Sequence, residues 1–264
     1  MNRVVVVASH RRSGTHLMLD SLRSNVRDVQ RRFMTLERID PYHEQHLSVA
    51  EFDRQLRAQK GIALVKTHTL PGAAAWPDRE TGAYAAELLG VTPTIYVHRD
   101  GRDVLVSLYR FVQSYSPEVA GQSFAEFLRS RHTGRDAVGV NRAAYWQQHV
   151  LAWLDSNPTT TGSYEGLQGD FEATLHSIAE RVDLRLRPAL SQVRLEPRRR
   201  RIPVVDRLLR VLGLRPAGST AIRPQAGRVG GWRQVFDDAD LAWFEAEASE
   251  GMRRLGYALD GEET

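Results

Sequence analysis

Apolar positions along the chain fall into two rhythms. Val4 to Ala8 is an unbroken β-branched run, the pattern of a strand buried on both faces of a parallel sheet. Ile62 to Val65 and Thr94 to Val97 repeat it, and Thr159 to Tyr164 gives a weaker fourth strand. Between them the spacing turns helical: Leu17, Met18, Leu22, Val26 and Val29 after the first run, then Val104, Leu108, Phe111 and Val112 after the third. Phe124, Phe127 and Leu128 mark a further stripe, as do Trp146, His149, Val150 and Trp153, and then Phe171, Leu175, Ile178 and Val182. Asp238 to Leu255 closes the chain as a helix with acidic residues at its start and Arg253 and Arg254 near its end, matching the helix dipole. Strands alternating with helices predict an α/β protein, a three-layer fold with a central, mainly parallel sheet flanked by helices. The 264 residues read as one domain, with a basic, Gly- and Pro-punctuated excursion at 194–230 that we expect to act as a lid.

Composition narrows the function. The chain is 42% hydrophobic and 26% charged, a globular balance that excludes wholesale disorder. No apolar run approaches the ~20 residues of a membrane span, and the N-terminus lacks a signal-peptide pattern. The absence of cysteine removes disulfides, thiolate metal sites and Cys nucleophiles together, and the default placement is cytoplasmic. A net charge of +4 suggests an anionic partner. Of the 36 basic residues only Lys60 and Lys66 are lysine, so a Lys at a strand end draws notice. The run Arg198 to Arg201 and the amphipathic stretch after it could contact an anionic membrane through 198–214; a solvated loop is the simpler reading.

The turn after the first strand, SHRRSGTH, leads into a helix N-terminus, where free backbone N–H groups bind phosphate or sulfate. Arg11 and Arg12 add charge, Ser13 and Thr15 add hydroxyls, and His16 follows. A Walker A loop needs a first glycine and a Lys that are missing here, which counts against a P-loop kinase-like phosphotransferase. A non-enzymatic RNA- or membrane-binding module would fit the charge, but the basic residues gather at strand ends without interleaved surface aromatics, so no nucleic-acid partner is expected.

Taken together, five segments resemble the sulfotransferases that use 3′-phosphoadenosine 5′-phosphosulfate (PAPS). RRSGT at 11–15 is similar to the family's 5′-phosphosulfate loop, KTHTLP at 66–71 to its Lys-Thr-His segment, and YVHRDGRDVLVSLYRF at 96–111 to its 3′-phosphate segment. SYEGL at 163–167 resembles the stretch near the adenine, and GRVGGW at 227–232 the Gly-rich closing loop. The resemblance implies sulfuryl transfer from PAPS to an acceptor, most simply a hydroxyl, without a metal. It implies that Arg12 contacts the phosphosulfate bridge, with Arg11, Ser13, Gly14, Thr15 and His16 around the 5′-phosphate. Arg99 and Ser107 would hold the 3′-phosphate, Tyr164 would lie by the adenine, and Gly227 and Arg228 would close the loop over the nucleotide. His68 would be the general base and Lys66 a catalytic cation. Where family members carry a stacking Trp this chain has Leu17, and Gln225 and Ala226 stand where a basic pair is usual, so that Arg223 or Arg228 would have to supply the charge. The acceptor, a small molecule, saccharide or lipid, is not dictated by any motif.

Overall fold

A computed structural model describes residues 3–114, 116–132, 139–156, 158–193 and 227–260. Five strands form one parallel sheet: β1 (Arg3–Ala8), β2 (Met34–Thr35), β3 (Ile62–Thr67), β4 (Thr94–His98) and β5 (Thr159–Ser163), in the order β2-β3-β1-β4-β5. The register sets Val7 against Lys66, Ala8 against Thr67 and also against Tyr96, and His98 against Ser163. All five strands therefore end at the same edge, and the turns that follow them converge there.

Side-chain alternation explains the three layers. Val6, Ala8, Ala63, Val65 and Tyr96 face one core with Leu36, Phe52, Val104, Trp146, Trp153 and Phe244. Val5, Val7, Leu64, Ile95 and Val97 face the other with Leu17, Met18, Leu22, Leu175 and Ile178. The first core is covered by α2 (Val49–Arg57), α3 (Arg79–Val91), α4 (Gly101–Gln113), α5 (Pro117–Ala120), α6 (Phe124–Arg129), α7 (Arg142–Leu154) and α10 (Asp238–Arg254). The second is covered by α1 (Thr15–Asn25), α8 (Tyr164–Gly169) and α9 (Phe171–Arg181). Both faces of the sheet are thus buried, which is why its strands read as continuous apolar runs.

The first helix is shorter than its apolar spacing suggests. It stops at Asn25, and Val26 turns to extended backbone and bridges Leu186, while Val29 bridges Ile62. β-branched side chains prefer that pleated surface to another helical turn. Tyr164 opens α8 rather than ending β5. Residues 194–226, which hold the Arg198 to Arg201 run, the 198–214 stretch, Arg223, Gln225, Ala226 and most of the expected lid, lie outside the described residues. Among the described residues no helix is long and apolar enough to cross a membrane.

Candidate active site

The turn joining β1 to α1 is the centre of the convergent edge. Arg12 has φ 75° and Gly14 φ 100°, so the chain bends back on itself around Ser13 before helix α1 begins. Gly14 is required twice over: its backbone is left-handed, and a Cβ there would stand 2.6 Å from the Tyr164 ring. As the N-cap of α1 it offers no side-chain acceptor, so no cap side chain occupies the first-turn N–H groups of that helix. Ser13 and Thr15 are buried, and Thr15 shares a 2.5 Å hydrogen bond with Ser9. Arg11 and His16 are exposed, with the His16 ring beside Phe33.

Two clusters grow from this turn. In the first, Arg12 donates from Nε to Ser107 Oγ at 3.2 Å and lies over the Phe111 ring. Ser107 is placed by α4, two turns from the end of β4. Burial and the neighbouring charge of Arg99 push the Arg12 guanidinium below its ordinary value. Arg99 leaves β4 almost fully buried, at 7% side-chain exposure. It pairs with Asp103 at 3.3 Å, donates to the Arg228 carbonyl at 3.0 Å and sits 4.6 Å over the Tyr164 ring. Its Nε has no partner. Two neighbouring arginines, of which only Arg99 has a carboxylate partner and that one keeps an idle buried donor, give the cluster an excess of positive charge.

The closing loop is tied to this cluster through the backbone. Tyr164 donates its hydroxyl to the Gly227 carbonyl at 2.9 Å, and a Cβ on residue 227 would fall 1.9 Å from that hydroxyl oxygen. The side chain of Arg228 is exposed, while its carbonyl engages Arg99. Asp103, which reads in the sequence as an ordinary helix-start residue, accepts from Gly230 N–H at 2.8 Å and Trp232 N–H at 2.9 Å as well as from Arg99. It is the hub that fixes the loop to α4.

The second cluster surrounds the end of β3. The His68 Nδ1 lies 2.8 Å from the Ser9 carbonyl oxygen, which can only accept, so Nδ1 carries the proton and Nε2 keeps its lone pair. Burial, reinforced by the charge of Lys66, holds the His68 pKa down to about 3, so the ring is neutral at physiological pH. Lys66 is also shifted down, chiefly by burial. The turn after β3 is clamped by Glu37, whose Oε1 accepts from the Thr67 hydroxyl at 2.9 Å and from the His68 N–H. On the other side His149 donates from Nε2 to the His68 carbonyl at 3.0 Å, its Nδ1 accepting from the Tyr96 hydroxyl. Glu37 and His149 carry no sequence signal for this task, because their partners are backbone groups brought near only by the sheet.

The candidate ligand and catalytic residues named in the sequence within the described range thus gather at one edge, in a basic cluster and a histidine–lysine cluster joined by the β1–α1 turn. His98 stands apart, its Nδ1 paired with the Tyr257 hydroxyl at 2.9 Å. Among the described residues no group of three or more His, Asp or Glu is placed to hold a metal ion.

A family model described as "Sulfotransferase domain" matches residues 91–256. Arg99, Ser107, Tyr164, Gly227 and Arg228 lie inside that span; the β1–α1 turn, Lys66 and His68 precede it. No curated protein matches the sequence. Among solved structures, mouse sulfotransferase SULT7A1 complexed with PAP superposes with a TM-score of 0.58 at 19% identity, covering 95% of this chain and 84% of that one. Retinol dehydratase in complex with androsterone and the inactive cofactor PAP gives 0.52 at 18% identity, covering 98% and 82%. The retinol dehydratase complex with retinol and PAP gives 0.51 at 18% identity, covering 99% and 83%. These likenesses establish the fold.

Proposed function

The chain belongs to the sulfotransferase family, and on that premise we propose that it transfers the sulfuryl group of PAPS to an acceptor hydroxyl, releasing adenosine 3′,5′-bisphosphate (PAP). The observation that carries the reading is Arg99: a buried guanidinium at a strand's C-terminal end, its Nε unpartnered, beside Arg12 and Ser107. A 3′-phosphate supplies a balancing anion. Open α/β sheets bind their ligands at such strand ends, and the structural neighbours were solved with PAP.

In this scheme Arg99 and Ser107 bind the 3′-phosphate, with Gly227 and Arg228 bringing backbone over it. Ser13, Gly14 and Thr15 offer N–H and hydroxyl donors to the 5′-phosphate at the start of α1, and Arg11 and His16 border that turn. Tyr164 fixes the wall beside the adenosine by joining Gly14, Arg99 and Gly227. PAPS supplies an activated sulfuryl group. The chain's own chemistry is then proton and charge management. His68 Nε2 takes the acceptor proton as the new O–S bond forms. Arg12 and Lys66 offset the negative charge that gathers on the bridging oxygen as the old S–O bond breaks. Glu37 and His149 hold the His68 backbone so that Nε2 stays aimed.

The acceptor is a small molecule, saccharide or lipid, and a cytoplasmic reaction remains part of the proposal. The test is thermal unfolding of the full chain with PAP or with ATP and magnesium. A ligand at about 100 times its dissociation constant stabilises by ~2.7 kcal/mol. Stabilisation by PAP is the expected result. Stabilisation by ATP with magnesium alone would overturn the reading.

A further inference from the structure

Beside Lys66 the surface opens into a cleft of about 510 Å³ lined by Thr35, Arg38, Tyr42, His43, Glu44, Gln45 and Lys66. That size suits a small ligand. Its floor is Lys66, hydrogen-bonded in register beside Thr35 across β2 and β3. Lys66 stands close enough to His68 for its charge to act on that ring, and Glu37, next to Arg38 in sequence, accepts from the His68 N–H and the Thr67 hydroxyl.

The outer wall is a prearranged loop. Arg38 donates from Nε to the Gln45 carbonyl at 2.9 Å, and Leu47 N–H donates to the Arg38 carbonyl at 2.7 Å. Tyr42 N–H donates to Asp40 Oδ1 at 2.8 Å. His43 Nδ1 accepts from the Gln45 N–H at 3.0 Å, which leaves the neutral ring's proton on Nε2 as a donor. A wall held by its own backbone loses little conformational freedom when a ligand binds.

The lining residues are polar or charged types, yet the surface they turn to the cleft mixes polar and apolar atoms in about equal measure. Tyr42 is 71% exposed, and among the described residues it is the one aromatic among the large exposed apolar side chains. An apolar acceptor in this cleft would strip water from Arg38, Glu44, Gln45 and Lys66 and return no hydrogen bonds. A sugar ring meets both demands. Its hydroxyls donate and accept against the planar polar side chains, and its C–H face packs on an exposed aromatic ring. We propose that this cleft is the acceptor subsite and that the acceptor is a saccharide, stacked on Tyr42 with one hydroxyl presented towards His68. The proposal rests on the sulfotransferase reading above. In the step it assigns, the sugar O–H bond breaks, its proton passes to His68, and the sugar oxygen bonds to sulfur as PAP departs.

The experiment uses the full chain with PAPS and follows PAP release and sulfated product by mass spectrometry. One arm offers neutral and N-acetylated disaccharides; the other offers androsterone, retinol and 4-nitrophenol. Tyr42→Ala and Tyr42→Phe are assayed beside the wild type, with the PAP-induced thermal shift of each variant as a folding and cofactor control. We expect sulfated disaccharide, a KM raised about tenfold or more in Tyr42→Ala, a KM within about twofold in Tyr42→Phe, and the same PAP shift in all three. Sulfation confined to the apolar arm, no saccharide product from protein that binds PAP, or an unchanged KM in Tyr42→Ala would each overturn the saccharide proposal. Absence of any PAP shift in the wild type would instead overturn the sulfotransferase reading on which it rests.

Discussion

Replacing Asp103 with Asn should loosen the loop at 227–232 while leaving the far face of the sheet undisturbed. The carboxylate is 2% exposed and accepts from two loop N–H groups, Gly230 to Oδ2 at 2.8 Å and Trp232 to Oδ1 at 2.9 Å. Asn keeps one acceptor and turns the other atom into a donor, so one loop N–H loses its partner and Arg99 loses its counter-charge. A hydrogen bond to a charged group contributes ~1.5–3 kcal/mol. Losing one weakens the loop's anchorage by about 2 kcal/mol, or roughly 30-fold in its open population at 1.4 kcal/mol per decade. Hydrogen exchange read by mass spectrometry measures this directly. Peptides covering 227–236 should exchange about 30-fold faster in Asp103→Asn, while peptides of α9 (Phe171–Arg181), on the far face of the sheet, should not change. Unchanged exchange at 227–236 would refute the anchoring role. A uniform rise across the chain would make Asp103 a general stability residue instead.

Three further outcomes are expected. His68→Ala should abolish sulfated product while leaving PAP affinity within about twofold, because in the proposed mechanism His68 takes the acceptor proton; calorimetry showing lost PAP affinity would make its role structural. Gly227→Ala should raise the Kd for PAP at least tenfold because the added methyl collides with the Tyr164 hydroxyl, whereas Gly121→Ala, with open space at its Cβ, should be neutral. The pH response has a definite sign: burial depresses His68 to about 3 and His98 to about 4, and lowers His10 as well, so the folded chain binds fewer protons than the unfolded one below about pH 6.5. Stability should therefore be full above that pH and fall as pH drops towards 4. A Tm at pH 5 equal to that at pH 7.5 would contradict these burial shifts.

The sheet, and the edge at which its polar strand ends meet, were legible in the sequence because both rest on local signals. β-branched runs at Val4, Ile62 and Thr94 mark strands buried on both faces, and the polar residues that end each run are those that meet at the sheet edge. Boundaries were less legible where tertiary pairing wins: Val26 and Val29 keep helical spacing, yet they pair with Leu186 and Ile62 as extended chain. Helices α2 and α3 carry usable signals, Ser48 accepting from Glu51 N–H and Asp78 from Thr81 N–H at their caps, but their apolar stripes are short. At the site, motif residues such as Arg99 and His68 stand out by position. Asp103, Glu37 and His149 do not, because what they hold are backbone groups distant in sequence. Tyr42 is equally silent: an exposed tyrosine in a polar loop means nothing until the fold sets it on the rim of a cleft beside Lys66.

The central claim is that the cluster of Arg12, Arg99 and Ser107 is a 3′-phosphate site. Calorimetric titration of the wild type and Arg99→Ala with PAP and with adenosine 5′-monophosphate, which lacks the 3′-phosphate, tests it most directly. Charge-assisted contacts at ~1.5–3 kcal/mol each predict that the wild type prefers PAP by about a hundredfold, and that Arg99→Ala cuts this preference at least tenfold by weakening PAP alone. Equal affinity of the wild type for the two nucleotides, or equal losses for both in Arg99→Ala, would contradict the account.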